Sequence, residues 1–229
     1  MKKIGLIAGM SWQSSLEYYR LINEMVNKKK GGLNSAEVFM NSLNFAEISD
    51  FMDNDNWEEI SWILAQAGNE LEFVGAEIIL LCSNTVHYAI PEIAKHTSTR
   101  FLHIADTAAD KVLSSGISSV GLLGTKFTMK QDFYKKSLKS SGLEVFVPEK
   151  DDMDFINHVI FDELCLGVIN PESKKRFVLI IESLVERGAQ GIVLGCTEIP
   201  LLVKQGDVSI PLFDTMKIHV EAAVELALK

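Results

Sequence analysis

The chain carries the same local pattern twice. One copy begins at Gly75 and the other at Gly188, each with a Gly-Ala pair followed by an acidic or amide residue and an apolar run. Ser83 and Cys196 each lie eight positions after the glycine of their own copy. These two side chains therefore occupy equivalent places, and the pattern predicts two similar structural units, one with a hydroxyl and one with a thiol at the same point.

Apolar strands and amphipathic helices alternate along both halves of the chain. Segments such as 4–8 and 192–194 are short apolar runs typical of buried parallel strands. Strands that alternate with helices imply parallel sheets. We therefore predict an α/β fold of two similar domains related by an approximate two-fold, each with a parallel sheet flanked by helices. The first domain is expected to comprise residues 1–98 plus 209–229, and the second residues 99–208.

We expect the functional site to lie at the turns that follow equivalent strands of the two domains. Ligands of open α/β sheets bind beyond the carboxyl ends of the strands, so we expect Ser83 and Cys196 to face a cleft between the domains from opposite sides. Such a pair suits removal of a proton from a carbon stereocentre on one side and its return on the other. We expect N–H groups of a following helix to lower the thiol pKa of Cys196 from about 8.5. Serine is a weaker base, and His87 is the neighbour that could activate it.

Composition narrows the class of partner. The net charge of −9 argues against nucleic acid, which selects for clustered Lys and Arg. Three cysteines without a Cys-x-x-Cys pair argue against a disulfide scaffold or a zinc site of thiolates and favour the cytoplasm. The apolar run after Lys3 is too short for a signal peptide, and no apolar stretch approaches the ~18 residues of a membrane span.

These motifs resemble those of the aspartate/glutamate racemase family. The family's Gly-Cys-Thr-Glu-Ile motif is intact at 195–199, and its Cys-Asn-Thr motif corresponds to Ser-Asn-Thr at 83–85. The chain is also similar to one branch of racemases that act on aspartate and glutamate, over segments 9–12, 122–125 and 161–165. In that branch a hydroxyl residue replaces the first cysteine, and activity is biased to one enantiomer. The resemblance implies an amino-acid racemase that needs neither pyridoxal phosphate nor a metal.

The resemblance also implies roles for individual residues. Cys196 is expected to remove the proton at Cα of an L-substrate, and reprotonation is expected from the Ser83 side. Resemblance and turn position together nominate as substrate-binding residues Met10, Asn84, Thr85, Thr125, Thr197 and Glu198. Relatives are commonly dimers, so a homodimer is expected. Segment 45–52 lacks the arginine with which several aspartate-selective relatives hold the distal carboxylate, so the choice between aspartate, glutamate and a less acidic substrate stays open.

Other interpretations fit the same residues. A decarboxylase or cis-trans isomerase of small diacids also uses a cysteine at one or both places, and loss of one cysteine could leave a non-catalytic binding protein for acidic amino acids. Ser83 could serve only as a helix cap, and Cys165 fits a core position. Glu198 could orient Thr197, bind the substrate ammonium or cap a helix. The racemase of an acidic amino acid is the favoured interpretation.

Overall fold

The computed structural model describes residues 1–98 and 100–229. The chain forms two compact units, one of Met1–Ile104 with His219–Lys229 and the other of Ala105–Ile218. Each unit has a four-stranded parallel sheet with helices. The predicted α/β fold of two parallel sheets flanked by helices is therefore confirmed.

The first unit orders its strands β2-β1-β3-β4. These strands are β1 (Ile4–Ala8), β2 (Val38–Ser42), β3 (Ile78–Leu81) and β4 (Arg100–Phe101). Its helices before β4 are α1 (Trp12–Lys30), α2 (Phe45–Asp53), α3 (Trp57–Phe73) and α4 (Ile90–Ile93). The central strands β1 and β3 are buried along their whole length, which explains why both consist of apolar residues and glycine.

The second unit orders its strands in the same way, β6-β5-β7-β8. These strands are β5 (Ser119–Gly124), β6 (Glu144–Phe146), β7 (Gly191–Gly195) and β8 (Leu212–Asp214). The remaining helices are α5 (Ile104–Ser114), α6 (Lys126–Lys130), α7 (Asp132–Ser140), α8 (Lys150–His158), α9 (Pro171–Glu186), α10 (Ile199–Leu202) and α11 (Thr215–Leu228). None of the helices formed by residues 1–98 and 100–229 combines the length and apolarity that crossing a membrane requires.

Strand register supports the repeat that the sequence indicates. Leu81 lies opposite Ile7 in the first sheet, and Leu194 lies opposite Leu123 in the second. Counting from these pairs, the residue two positions beyond Leu81 is Ser83 and the residue two positions beyond Leu194 is Cys196. The two side chains therefore leave equivalent strands at equivalent heights.

The glycine that opens each copy has a backbone reason. Gly75 has a φ of 95° and Gly188 a φ of 112°, values that L-residues with a Cβ rarely adopt. Each glycine lets the chain turn from the preceding helix into the third strand of its unit. The repeat is thus anchored by the same left-handed turn in both halves.

The predicted domain boundaries need a correction at the edge strands. Leu212–Asp214 was assigned with 209–229 to the first domain, but it pairs with β7 in the second sheet. Arg100–Phe101 was assigned with 99–208 to the second domain, but it pairs with β3 in the first sheet. The reason is that each edge strand completes the sheet of its own repeat, and only the later part of α11, from His219, returns to the first unit. The predicted boundary at 98/99 falls at Thr99, which lies outside the described residues.

Candidate active site

The turn after β7 brings a thiol, a hydroxyl and a carboxylate together. Cys196 follows the last residue of β7 and is only 6% exposed. Its Sγ–H donates to Oε2 of Glu198 at 3.0 Å. The hydroxyl of Thr197 donates to the same oxygen at 2.7 Å, and Glu198 is itself buried. The carboxylate therefore accepts two hydrogen bonds from the two residues that precede it.

This environment holds Cys196 as a thiol. Burial raises its pKa well above the ordinary value, and the charge of Glu198 and the Sγ–H hydrogen bond raise the pKa further. The backbone N–H of Glu198 favours the thiolate but is outweighed. The predicted lowering of the Cys196 pKa is therefore wrong. The helix that follows, α10, begins only at Ile199 and has four residues, so its N-terminus cannot offset burial beside a carboxylate.

Thr125 lies next to this turn at the end of the neighbouring strand. Gly124 and Gly195 are paired residues of β5 and β7, so Thr125 and Cys196 leave adjacent strands side by side. The Oγ1 of Thr125 accepts the backbone N–H of Thr128 at 3.2 Å and thereby caps α6. Thr125 has a clear structural role, and its contact with substrate stays a prediction.

Cys165 lies close enough to Glu198 for the carboxylate charge to affect its pKa. It is half-buried in the short helical turn Leu164–Leu166 and packs against the core cluster that contains Cys196, in agreement with the predicted core role. Burial and the charge of Glu198 raise its pKa to about 12. The spacing of Cys165 and Cys196 along the chain does not predict their proximity, which arises from packing between distant segments.

The equivalent turn of the first unit carries different chemistry. Cys82 follows β3 and is completely buried, which raises its pKa far above the ordinary thiol range. Ser83 is half-buried, whereas Asn84 is 4% exposed. Thr85 begins a single 3₁₀ turn, Thr85–Ala89, that leads into α4. The hydroxyl and the amide of this turn therefore stand where the second unit has a thiol and a hydroxyl.

Met10 belongs to the same edge of the first sheet. It is buried and follows Gly9, whose φ is 98°. A Cβ on Gly9 would lie 2.1 Å from the carbonyl oxygen of Leu43, so only glycine fits there. Because β1 and β3 are paired neighbours, the turns that carry Met10 and Ser83 leave adjacent strands. Within each unit, the predicted site residues therefore gather at the carboxyl edge of one sheet.

His87 does not contact Ser83 in the way the sequence suggested. Its Nδ1 lies 2.7 Å from the backbone oxygen of Ser83, and because a carbonyl only accepts, Nδ1–H is the donor. The bond is made to the main chain rather than to the hydroxyl. The prediction that His87 activates the Ser83 hydroxyl is therefore not supported by the geometry.

Two further imidazoles pack against His87, and one of them contacts a phenol. The ring centroids of His103 and His219 lie 4.9 Å and 5.7 Å from that of His87. His219 donates from Nε2 to the carbonyl oxygen of Leu102 at 2.8 Å, so its Nδ1 accepts the hydroxyl of Tyr18 at 2.9 Å.

Over residues 1–98 and 100–229, no group of His, Cys, Asp and Glu side chains is arranged to hold a metal ion.

Comparison with known proteins agrees with this arrangement. The sequence model of the Asp/Glu/Hydantoin racemase family matches residues 7–223. The chain belongs to this family. As an Asp/Glu/Hydantoin racemase family member it is an isomerase that acts on amino acids.

Solved structures of family members match it from end to end. A candidate Asp/Glu racemase from Yersinia pestis is 42% identical, with 100% of both chains covered and a TM-score of 0.95. An aspartate racemase homologue from Pyrococcus horikoshii is 39% identical, again with 100% of both chains covered, at a TM-score of 0.89. Among curated proteins, the glutamate racemase of Aquifex aeolicus is 24% identical over 61% of this chain, and the match spans 53% of that enzyme's own length.

Proposed function

We propose that this family member racemises an acidic amino acid, aspartate or glutamate, without pyridoxal phosphate. Cys196 removes the α-proton of the L-enantiomer, and the planar intermediate is reprotonated from the Ser83 side. The observation that carries the proposal is the pairing of a buried thiol with a buried carboxylate, 3.0 Å apart, at the carboxyl edge of a parallel sheet.

Glu198 gives the thiol a route to its reactive form. A thiol must lose its proton before it can act as a base, and Oε2 of Glu198 already accepts that proton in a hydrogen bond. Transfer to Glu198 leaves a neutral carboxylic acid and a thiolate. The thiolate then takes the α-proton onto Sγ. The Ser83 hydroxyl then supplies the proton that reaches the planar intermediate. Exchange with water restores the hydroxyl of Ser83 and removes the proton from Glu198, which completes the cycle.

Thr197 orients this carboxylate, and this sets the polarity of its hydroxyl toward the substrate. Its hydroxyl proton is directed to Oε2 of Glu198 at 2.7 Å. In that state Oγ1 can only accept from a ligand, which suits an ammonium group better than a carboxylate. We therefore propose that Thr197 contacts the substrate ammonium. Carboxylate binding is assigned to the turns of Met10, Asn84, Thr85 and Thr125.

Ser83 makes the two proton-transfer steps of the proposed reaction unequal. A serine hydroxyl is a poor base at neutral pH, but it can donate a proton to a carbanion. Reaction that starts at Cys196 therefore needs Ser83 only as a donor. The two enantiomers have equal free energies, so kcat/KM for racemisation must be the same from either one. The inequality is therefore expected in α-proton exchange, which is fast for the L-enantiomer at Cys196 and slow for the D-enantiomer, where Ser83 or a group acting through it must be the base.

Exchange of the α-proton with solvent tests the proposal. The protein is incubated with L-aspartate or L-glutamate in deuterated water, and the α-proton NMR signal is followed together with formation of the D-enantiomer by chiral chromatography. Loss of the signal, absent in Cys196→Ala, supports a racemase. A signal that persists while either amino acid binds supports a binding protein. Release of CO₂ from small diacids, or their cis-trans conversion, supports the other enzyme classes.

The homodimer and the cytoplasmic location stay predictions.

A further inference from the structure

The turn that carries Ser83 lacks a long helix to hold it. After β3 the chain passes through one 3₁₀ turn, Thr85–Ala89, into the four-residue helix α4. Neither element carries a side-chain hydrogen bond from its N-cap residue. The hydrogen bond from His87 Nδ1 to the Ser83 carbonyl, at 2.7 Å, links this turn to an imidazole four positions further along the chain.

The imidazole that makes this bond is itself tightly held. His87 is 1% exposed and packs edge-on against two other imidazoles, those of His103 and His219. His219 is completely buried and is fixed at both nitrogens, by the Tyr18 hydroxyl and by the Leu102 carbonyl. The ring of His219 also meets that of Tyr18 edge-on, with centroids 5.8 Å apart. The side chains that pack against His87 thus set the orientation of its ring.

His87 is also a neutral donor. Burial lowers its pKa well below the usual range, and the neighbouring His103 and His219 lower it further, against the opposing effect of the Ser83 and Leu102 carbonyls. Its Nε2 is buried and has no hydrogen-bond partner among the described residues. Because the neutral ring carries its proton on Nδ1, the hydrogen bond to the Ser83 carbonyl is the one that His87 can donate.

The second unit has no counterpart to this arrangement. The residue four positions after Ser83 is His87, whereas the residue four positions after Cys196 is Pro200, which has neither a side-chain donor nor a backbone N–H. There the catalytic candidate is held through its own side chain, by Glu198. The imidazole contact belongs only to the half of the repeat in which a hydroxyl replaces a thiol.

We propose that His87 is a positioning residue for Ser83: its Nδ1–H holds the Ser83 carbonyl so that the hydroxyl stays where it can protonate the substrate, while His219 and Tyr18 hold His87 in turn. This inference rests on the proposed racemase function. It assigns His87 to one half of the reaction only, the half that forms the D-enantiomer, and leaves removal of the proton by Cys196 untouched.

Matched variants at position 87 separate this role from simple packing. In His87→Asn the side-chain amide can replace the Nδ1–H donor, whereas in His87→Gln the amide lies near the place of Nε2. His87→Leu removes both nitrogens. Each variant is assayed for α-proton exchange of the L-substrate, which needs Cys196, and for formation of the D-enantiomer, which also needs Ser83. Thermal unfolding and the backbone amide NMR signals of Ser83 and Asn84 are measured in parallel.

We expect His87→Gln and His87→Leu to lose D-enantiomer formation by about 10- to 100-fold, the scale of a misplaced catalytic group, while L-exchange is kept. His87→Asn should restore D-enantiomer formation and the wild-type amide signals. The inference is overturned if Asn and Gln behave alike, or if exchange and D-enantiomer formation fall together with stability. If the wild-type protein exchanges no α-proton, the proposed function fails. The amide signals then still decide whether His87 holds the Ser83 turn.

Discussion

The turns after β3 and β7 have the same place in the fold and opposite chemistry. Each follows the third strand of its sheet, next to the turn of the first strand. In the first turn Ser83 is half-buried and held through its main chain by a neutral imidazole. In the second, Cys196 is buried and held through its side chain by a carboxylate. A duplicated architecture can therefore present a proton donor on one sheet and a proton acceptor on the other.

The difference teaches how the two proton transfers of one reaction can be divided between unlike groups. Two thiols in equivalent environments would serve both enantiomers alike. A serine hydroxyl is far harder to ionise than a thiol, so replacing one thiol by a hydroxyl leaves a single competent base. The supporting groups follow the same division, since Glu198 can accept a proton and His87 is placed to orient rather than to ionise.

Removal of the Cys196 thiol is expected to have the largest effect and tests the comparison most directly. Cys196→Ala should lower both α-proton exchange and racemisation by about 10²- to 10⁴-fold, the usual contribution of a general base. Cys165→Ala is the matched control, because it removes a neighbouring thiol of the same unit and should leave exchange largely intact. Equal losses in the two variants would contradict the assignment of Cys196 as the base. Exchange is measured by NMR in deuterated water.

Changing the hydroxyl should separate the two directions. Ser83→Ala is expected to keep L-exchange but lower formation of the D-enantiomer by about 10- to 100-fold, because the donor on that side is lost. Ser83→Cys should raise turnover of the D-enantiomer, because a thiol can act as a base. Initial rates with each enantiomer, followed by chiral chromatography, give the comparison. No gain with the D-enantiomer in Ser83→Cys would remove the argument for an unequal pair.

Removing the carboxylate should change the pH at which Cys196 ionises. Glu198 raises the Cys196 pKa by its charge and by accepting Sγ–H, so Glu198→Gln should lower that pKa. The thiolate would then form at lower pH, and the ultraviolet absorbance of the thiolate follows this shift even if turnover is lost. Glu182→Gln, on the exposed face of α9, is the control for loss of one charge. An unchanged titration in Glu198→Gln would show that burial alone sets the Cys196 pKa.

The smallest expected effect is on stability and concerns the histidines beneath Ser83. Burial lowers the pKa of His219 to about 4. The unfolded chain takes up this proton near pH 6.5 and the folded protein only near pH 4, so unfolding binds a proton in this window. The free energy of unfolding should therefore fall by about 1.4 kcal/mol per pH unit as the pH drops from 6.5 to 4.

Denaturant titrations across that range check the effect. His219→Gln should show a shallower dependence than the wild-type protein, by about one proton. Identical slopes in the wild-type protein and His219→Gln would mean that His219 is not buried neutral.

Much of the fold could be predicted because it depends on local patterns. Apolar runs of four to six residues between amphipathic segments indicate parallel strands, and the Gly-Ala pairs at 75 and 188 mark the same left-handed turn in each half. The equivalence of Ser83 and Cys196 followed from counting along these copies. The edge strands were the exception, because β4 and β8 are short and their sheet is chosen by pairing with β3 and β7 rather than by their own residues.

The residues alone thus determined that the chain has two parallel sheets, that a hydroxyl and a thiol occupy equivalent turns, and that the family motif surrounds the thiol. Only the tertiary structure decided the chemical state of those turns. The pKa of Cys196 is raised because burial removes water and brings the carboxylate of Glu198 within 3.0 Å. His87 donates to the carbonyl of Ser83, while its ring packs against those of His103 and His219. A pKa and a hydrogen-bond partner depend on what packs around a side chain, and sequence spacing does not specify that packing.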